Sequence, residues 1–140
     1  MKELSGCVKD IMLALALIIA GLVVASANAD AAQIVDQNDH LVCQNCYAGK
    51  NILLNNADES YIYNQIVETP NFAFIKEDQG SSCYGGGWNI VDKRVPEPAL
   101  VPIDTDCKEI TKATAFESGK TVFFKVTYYG GKSVVYEYKI

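Results

Sequence analysis

Residues 120–140 read Lys-Thr-Val-Phe-Phe-Lys-Val-Thr-Tyr-Tyr-Gly-Gly-Lys-Ser-Val-Val-Tyr-Glu-Tyr-Lys-Ile. Two runs rich in β-branched and aromatic residues flank the pair Gly130-Gly131, and this pattern is typical of a β-hairpin. The stretch therefore predicts that the chain ends in two antiparallel strands.

The register of this hairpin follows from side-chain alternation. Every second residue of each run is large and apolar and shares one face: Val122, Phe124, Val126 and Tyr128 in the first run, and Val134, Tyr136, Tyr138 and Ile140 in the second. A two-residue turn would put the two sets on opposite faces. A three-residue loop, 129–131, puts them together and gives Gly131 the left-handed position that such a loop needs. Phe123 and Val135 are apolar exceptions on the opposite, polar face, where a second layer would cover them.

The first 29 residues have the composition of a secretory signal peptide. Residues 11–24 form an apolar or small run, and Ala27-Asn28-Ala29 is a small-x-small cleavage pattern. The run is shorter than the roughly 20 apolar residues of a membrane span, although an uncleaved anchor is left open as the alternative. Residues 30–140 are then expected to form one secreted, monomeric domain that keeps the net charge of −5. An acidic domain whose only arginine is Arg94 is a poor non-specific binder of nucleic acid.

Four cysteines remain after the predicted cleavage, and an even number in a small secreted domain indicates two disulfides. They are Cys43, Cys46, Cys83 and Cys107. The favoured pairing links Cys43 and Cys46 each to one of the later cysteines, because long loops restrain the unfolded chain more. The alternative pairs Cys43 with Cys46 and Cys83 with Cys107.

The middle of the chain predicts one α-helix over residues 57–68. Asn56 can cap this helix, and Ile62, Tyr63, Ile66 and Val67 form a stripe at helical spacing. A strand through residues 61–63 is the alternative. Short strands are expected at residues 51–54, 72–75, 88–91 and 100–103, with Pro102 confining the last to a sheet edge. The predicted fold class is α+β, with one helix packed on an antiparallel sheet.

Aromatic residues are the candidate binding residues. Trp88, Tyr129 and Tyr136 are proposed as parts of a stacking or protein-binding surface, although core packing explains most of them equally well. The glycine-rich loop at residues 85–87 lacks a following Lys-Ser/Thr pair, so it is a weak phosphate-binding candidate.

Two residue patterns bear on catalysis. His40 is the only histidine, so a hydrolase would use it with a carboxylate, but no Gly-x-Ser-x-Gly motif accompanies it. Cys43 and Cys46 have thioredoxin-like spacing but follow a polar stretch, and the predicted helix begins well after them. A surface histidine and structural disulfides are favoured over catalysis, and no metal or cofactor is expected.

The order of these patterns resembles the secreted guanyl-specific ribonucleases of fungi, and more closely their degenerate relatives, the ribonuclease-like effectors of plant-pathogenic fungi. The resemblance rests on short motifs: residues 46–49, the predicted helix, and residues 70–74, 100–103, 119–124 and 133–136. The histidines, glutamate and arginine that such enzymes use correspond here to Asn71, Leu100, Thr121 and Glu137. The resemblance therefore implies a scaffold without the acid and base that cleave RNA.

The leading hypothesis is a secreted, non-catalytic effector that binds a host macromolecule, a host protein or host RNA, outside or inside host cells. Its rivals are a small hydrolase that uses His40, such as a ribonuclease, and a thiol–disulfide protein that uses Cys43 and Cys46.

Overall fold

The computed structural model describes residues 31–58, 62–80 and 83–140. The predicted signal peptide, residues 1–29, lies outside the described residues. The described chain forms ten strands: β1 (Gln33–Gln37), β2 (His40–Gln44), β3 (Ile52–Leu53), β4 (Ile62–Glu68), β5 (Phe72–Asp78), β6 (Gly87–Asp92), β7 (Val101–Ile103), β8 (Ile110–Ser118), β9 (Thr121–Tyr128) and β10 (Ser133–Lys139). The only helical segment that lies wholly within these ranges is a single 3-10 turn at Tyr47–Gly49, and no described helix has the length and apolarity to cross a membrane.

The strands form three antiparallel sheets. Sheet A has the order β1-β2-β3, sheet B the order β4-β5-β6-β7, and sheet C the order β10-β9-β8. Within each sheet, neighbouring strands follow each other along the chain and are joined by connections of two to eight residues, as expected for antiparallel sheets.

Sheet B is the middle layer, because its inner strand β5 is buried on both faces. Ala73 and Ile75 of β5 belong to core 1, which sheet B shares with sheet A. Phe72 and Phe74 belong to core 2, which sheet B shares with sheet C. A strand covered on both sides is expected to be a continuous apolar run rather than an alternating one, and residues 72–75 are such a run.

The predicted helix and the α+β class are wrong. The part of residues 57–68 that forms regular structure is strand β4, and residues 59–61 lie outside the described ranges. The β4–β5 register skips Asn64, which is a β-bulge. Because of this extra residue, Tyr63 and Ile66 both pack against core 1 although they are three positions apart. Apolar residues three positions apart on one face are also the pattern of a helix, so the bulge made this strand look helical.

Most of the chain before Asn45 forms two strands that are not among those predicted from the sequence. β1 and β2 form a hairpin whose two loop residues, Asn38 and Asp39, both have positive φ, at 52° and 65°. Asparagine and aspartate tolerate this left-handed conformation, which a two-residue hairpin loop requires.

The C-terminal hairpin is confirmed in its register. Val126 lies opposite Val134, and Phe124 lies opposite Tyr136. The amide of Tyr128 donates to the carbonyl of Lys132 at 2.8 Å, so residues 129–131 form the loop. Gly131 has a φ of 93°, in the left-handed region.

Two disulfides are present, but the favoured pairing is wrong. Cys43 is bridged to Cys46, and Cys83 to Cys107. The side chain of Cys43, near the end of β2, lies in core 1. The turn that follows brings Cys46 back to the same core. Local backbone geometry therefore decides this pair, against the entropic preference for long loops.

A buried lysine ties sheet A to sheet B. Lys93 is 2% exposed, and its ammonium donates to the carbonyls of Ala32 at 2.8 Å and Thr69 at 2.7 Å. It also lies 3.3 Å from a carboxylate oxygen of Glu68, and the same oxygen accepts a hydrogen bond from the amide of Ile34. All three donors of the ammonium therefore have acceptors, which is the condition for burying a charge.

Candidate binding surface

The face of sheet C that points away from core 2 carries the most distinctive group of exposed side chains. We call it the outer face. Its members come from the three strands: Lys112, Thr114 and Phe116 from β8, Thr121, Phe123, Lys125 and Thr127 from β9, and Ser133, Val135, Glu137 and Lys139 from β10. They are the alternate residues to those that fill core 2.

Two phenylalanines form a ring stack on the outer face. Phe116 and Phe123 lie directly opposite each other across β8 and β9, with ring centroids 4.9 Å apart and planes 15° apart. Phe116 is 55% exposed, and Val135 on β10 is 49% exposed. Aromatic side chains are enriched at the centres of protein interfaces, which are more apolar than their rims.

A shallow groove beside these side chains is lined by two lysines and two threonines. Lys112 lies opposite Thr127, and Thr114 lies opposite Lys125, so the four side chains alternate around a space of about 80 Å³. The Thr127 hydroxyl is held 3.0 Å from the hydroxyl of Ser133 on the next strand. Ammonium and hydroxyl donors around one groove suit a carboxylate or another anion.

The charge of the chain is unevenly distributed around this surface. Residues 110–140 contain five lysines and two glutamates, whereas residues 31–109 contain five basic and twelve acidic residues. One of the two glutamates, Glu117, accepts hydrogen bonds from Asn71, including one of 3.0 Å from its amide nitrogen. The outer face is therefore a basic region on an acidic protein.

The single arginine lies elsewhere and is occupied. Arg94 binds both carboxylate oxygens of Asp92, at 2.9 and 2.7 Å. This hydrogen bonding lowers the pKa of Asp92 and raises that of Arg94. The guanidinium also lies 4.8 Å from the ring centre of Phe72.

The three aromatic residues proposed from the sequence do not form one surface. Trp88 is 1% exposed and packs in core 2, with its ring centroid 5.1 Å from that of Phe124. The Tyr136 hydroxyl donates to the carbonyl of Asp104 and pairs with the Tyr128 hydroxyl, both at 3.0 Å. Burial is the main cause that raises the pKa of Tyr136 above its usual range, and the hydrogen bond with Tyr128 is the second. Only Tyr129, 79% exposed in the hairpin loop, is free of the core clusters.

The residues proposed for catalysis are also separated. His40 is exposed at the start of β2, beside the Asn38-Asp39 turn. Cys43 and Cys46 form the bridge that a thiol–disulfide protein needs, but they are 0% and 7% exposed. They precede a 3-10 turn rather than an α-helix whose end would activate a thiol.

The four positions that correspond to the catalytic residues of the ribonucleases do not form one group. Leu100 is buried in core 1, whereas Glu137 is exposed on the outer face of sheet C, so sheet B lies between them. Asn71 donates to Glu117. Thr121 lies at the start of β9, on the same outer face as Glu137.

A second concave region lies next to the Cys83–Cys107 disulfide. It has a volume of about 180 Å³, and Trp88, Glu77, Asp104 and Asp106 are among its lining residues, while His40 is not. Glu77 accepts a hydrogen bond from Gln79, and Asp106 pairs with Lys108 at 3.4 Å. Across the described ranges, no group of three or more His, Cys, Asp or Glu side chains has an arrangement that could hold a metal ion.

The glycine-rich loop has a packing role at this place. Gly85 is buried, and a Cβ atom there would collide with the backbone carbonyl of Cys107. Gly86 has a φ of 78°, which favours glycine. The glycines let the loop lie directly against the strand-to-strand connection that carries Cys107.

Comparisons with protein-family models, with curated proteins and with solved structures gave no match to this chain. The candidate surface is therefore described by its geometry alone. Sequence reasoning noted Phe123 and Val135 but did not single out Phe116 or Lys112, because β8 was not recognised as a strand. The signal was present: Lys112, Thr114, Phe116 and Ser118 alternate with Ala113, Ala115 and Glu117.

Proposed function

We propose that this chain is a secreted, non-catalytic protein that binds a host macromolecule, and that the outer face of sheet C is its binding surface. The stack of exposed Phe116 on partly buried Phe123, beside the groove of Lys112 and Lys125, carries the proposal. Secretion is supported by the leader-like composition of residues 1–29 and by the two disulfides.

The composition of the surface supports a protein partner. Interfaces between proteins have an aromatic or aliphatic centre and a charged, hydrated rim. Phe116, Phe123 and Val135 provide such a centre, and lysines stand around it.

Charge supports a partner whose contact surface is acidic. The lysines of the outer face attract carboxylates, and the acidic remainder of the chain repels acidic proteins that approach from other sides. RNA is the less favoured partner, because the one arginine is paired with Asp92 and the chain has a net charge of −5.

The experiment compares three forms of the mature protein as bait against host extract, followed by affinity measurements with each purified binder. The first form is unaltered, the second is Phe116→Ser with Lys125→Glu, and the third is Tyr84→Ser. Tyr84 is 80% exposed, follows Cys83 and is not one of the outer-face residues, so it is a matched control for loss of an exposed aromatic ring.

We expect the double variant to weaken binding of the authentic partner by about 100-fold, since each anchor contributes on the order of 1–2 kcal/mol. Tyr84→Ser should bind like the unaltered protein, and higher salt should slow association. Equal binding by all three forms would overturn the proposal. Tight, salt-dependent binding of a labelled 12-nucleotide RNA, lost in the double variant, would replace the protein partner with RNA.

A further inference from the structure

The edge strands of the three sheets differ in how well they are protected from pairing with a further strand. Edge strands present unpaired amides and carbonyls, and proteins protect them with bulges, prolines, short length or side-chain caps. β4 has a bulge at Asn64, β8 has one at Thr111, and β7 is three residues long and contains Pro102. β3 is two residues long, and the outward amide of Ile34 in β1 is capped by Glu68.

Among the described residues, β10 has no bulge, proline or side-chain cap, and its two charged side chains, Glu137 and Lys139, are the only protection of this kind that it carries. It is seven residues long, contains no proline, and pairs with β9 without a bulge from Ser133 to Lys139. Its other side borders no described strand. Valine and tyrosine, which favour strands, make up four of its seven residues.

The direction of its backbone groups follows from two hydrogen bonds at its ends. Tyr128 donates to Lys132, and Ile140 donates to Lys120, so the even-numbered residues of this hairpin exchange hydrogen bonds across it. The odd-numbered residues of β10 therefore direct their amides and carbonyls away from β9. These residues are Ser133, Val135, Glu137 and Lys139.

We propose that the free edge of β10 binds an extended segment of the partner protein, which adds a fourth strand to sheet C. This inference rests on the proposed binding function, because the odd-numbered side chains of β10 belong to the outer face. An added strand pairs with four backbone positions and lies beside Val134, Tyr136 and Tyr138 on the other face, which are only partly buried.

The side chains of β10 define the chemistry of that segment. An antiparallel strand needs apolar residues at every second position, beside Val134, Tyr136 and Tyr138. On the other face it needs a basic residue opposite Glu137 and an acidic residue opposite Lys139. A second copy of this chain fits less well. Pairing two β10 strands about Tyr136 sets the two Glu137 carboxylates at diagonal positions, and pairing them about Tyr138 sets Glu137 opposite Lys139 but overlaps only residues 136–140.

The test uses a synthetic peptide, Glu-Val-Lys-Val-Thr-Val-Thr, capped at both ends, whose first residue is placed opposite Lys139. The control peptide, Lys-Val-Glu-Val-Thr-Val-Thr, has the same composition with the charges exchanged. Amide hydrogen exchange is measured by NMR on the unaltered mature protein with and without each peptide. We expect the peptide to slow exchange at Val135 and Glu137, whose amides point away from β9, and to leave Val134 and Tyr136 unchanged because they are already bonded to β9.

Two variants separate backbone pairing from side-chain contact. Val135→Pro removes the outward amide without touching a hydrogen bond to β9, and Val135→Ala removes the side chain but keeps the amide. We expect Val135→Pro to weaken peptide binding at least about tenfold, and Val135→Ala to weaken it about threefold or less. The exchange measurement needs no variant, so the test holds even if Val135→Pro does not fold.

Several results would overturn the inference. They are equal binding of both peptides, binding without protection at Val135 and Glu137, no binding at millimolar peptide, or self-association that protects these amides in the absence of peptide. The partner protein identified in the bait experiment distinguishes a failure of this inference from a failure of the proposed function. If Phe116→Ser with Lys125→Glu abolishes its binding while Val135→Pro does not, the binding face is correct and strand addition is wrong.

Discussion

Lys93 shows how one side chain holds two layers together. Its ammonium satisfies two backbone carbonyls and one carboxylate in a place where water does not reach it. Replacing it with methionine keeps the volume but leaves the Ala32 and Thr69 carbonyls and the Glu68 carboxylate without their donor. We expect Lys93→Met to lower the free energy of unfolding by about 3 kcal/mol in urea titrations.

The control is Lys50→Met, because Lys50 is exposed and its loss should change stability by less than about 0.5 kcal/mol. Adding Glu68→Gln to Lys93→Met should recover part of the loss, since the amide oxygen still caps Ile34 and no unpaired charge remains. Equal stability of Lys93→Met and Lys50→Met would show that the lysine does not join the layers.

Tyr136 and Tyr138 make stability depend on alkaline pH. Burial raises the pKa of both hydroxyls in the folded protein, and pairing with Tyr128 adds to the effect at Tyr136. An unfolded chain loses these protons near pH 10, whereas the folded chain keeps them. The stabilisation is therefore complete below about pH 10 and is lost as pH rises from there through the higher folded-state values.

We expect the free energy of unfolding to fall above about pH 10, and ultraviolet titration to show that Tyr136 and Tyr138 ionise above that pH. The variant Tyr136→Phe with Tyr138→Phe should flatten the alkaline slope. An unchanged slope in this variant would assign the alkaline instability to other groups.

At the scale of elements, bulges explain most of what the sequence did not reveal. Strict alternation made the β9–β10 register predictable, because no residue is inserted into it. Asn64 and Thr111 each add one residue to a strand, which gives β4 a false helical period and breaks the alternation of β8 at its start. A bulge depends on contacts with the neighbouring strand, so the local sequence carries no dependable sign of it.

The candidate surface was partly predictable for the same reason. Phe123 and Val135 stood out as apolar residues on a polar face, and the structure leaves Val135 exposed while Phe116 covers Phe123 from the neighbouring strand. No second layer lies on this side of sheet C among the described residues. Predicting the role of Phe116 required knowing which strand pairs with β9, and strand pairing depends on tertiary structure.

The two disulfides should contribute unequally to stability. Cys83 and Cys107 are 24 residues apart, whereas Cys43 and Cys46 are 3 apart. Loop closure then predicts a loss of about 3.5 kcal/mol for Cys83→Ala with Cys107→Ala, and about 2 kcal/mol for Cys43→Ala with Cys46→Ala. Urea unfolding of the two double variants checks the order, and a larger loss for the second pair would show that burial of Cys43 outweighs chain entropy.

At the scale of the molecule, sheet B couples the two cores through β5. Phe74 stacks on Phe124 in core 2 at 4.3 Å, and its neighbour Ile75 fills core 1. We expect Phe74→Ala to cost about 3–5 kcal/mol and Ile75→Ala about 2–5 kcal/mol. Both variants should still unfold in one transition, because neither core exists without this strand.

Circular dichroism in the near and far ultraviolet, followed through the same urea titration, measures this coupling, since coincident curves indicate one cooperative unit. Phe116→Ala is the control, because its ring lies outside both cores and its loss should cost only about 1 kcal/mol. Separate transitions in Phe74→Ala would mean that sheets A and B fold as a unit of their own.

The position of sheet B between two cores also determines which residues can be substituted without loss of folding. Substitutions in sheet B disturb two cores at once, so selection for folding removes most of them. Lys112, Thr114, Lys125 and Val135 belong to neither core. We expect changes there to leave the scaffold intact and, under the proposed function, to alter what the protein binds. Selection for binding to a changed partner can therefore alter this face without loss of folding. We expect homologous sequences to differ most at these positions.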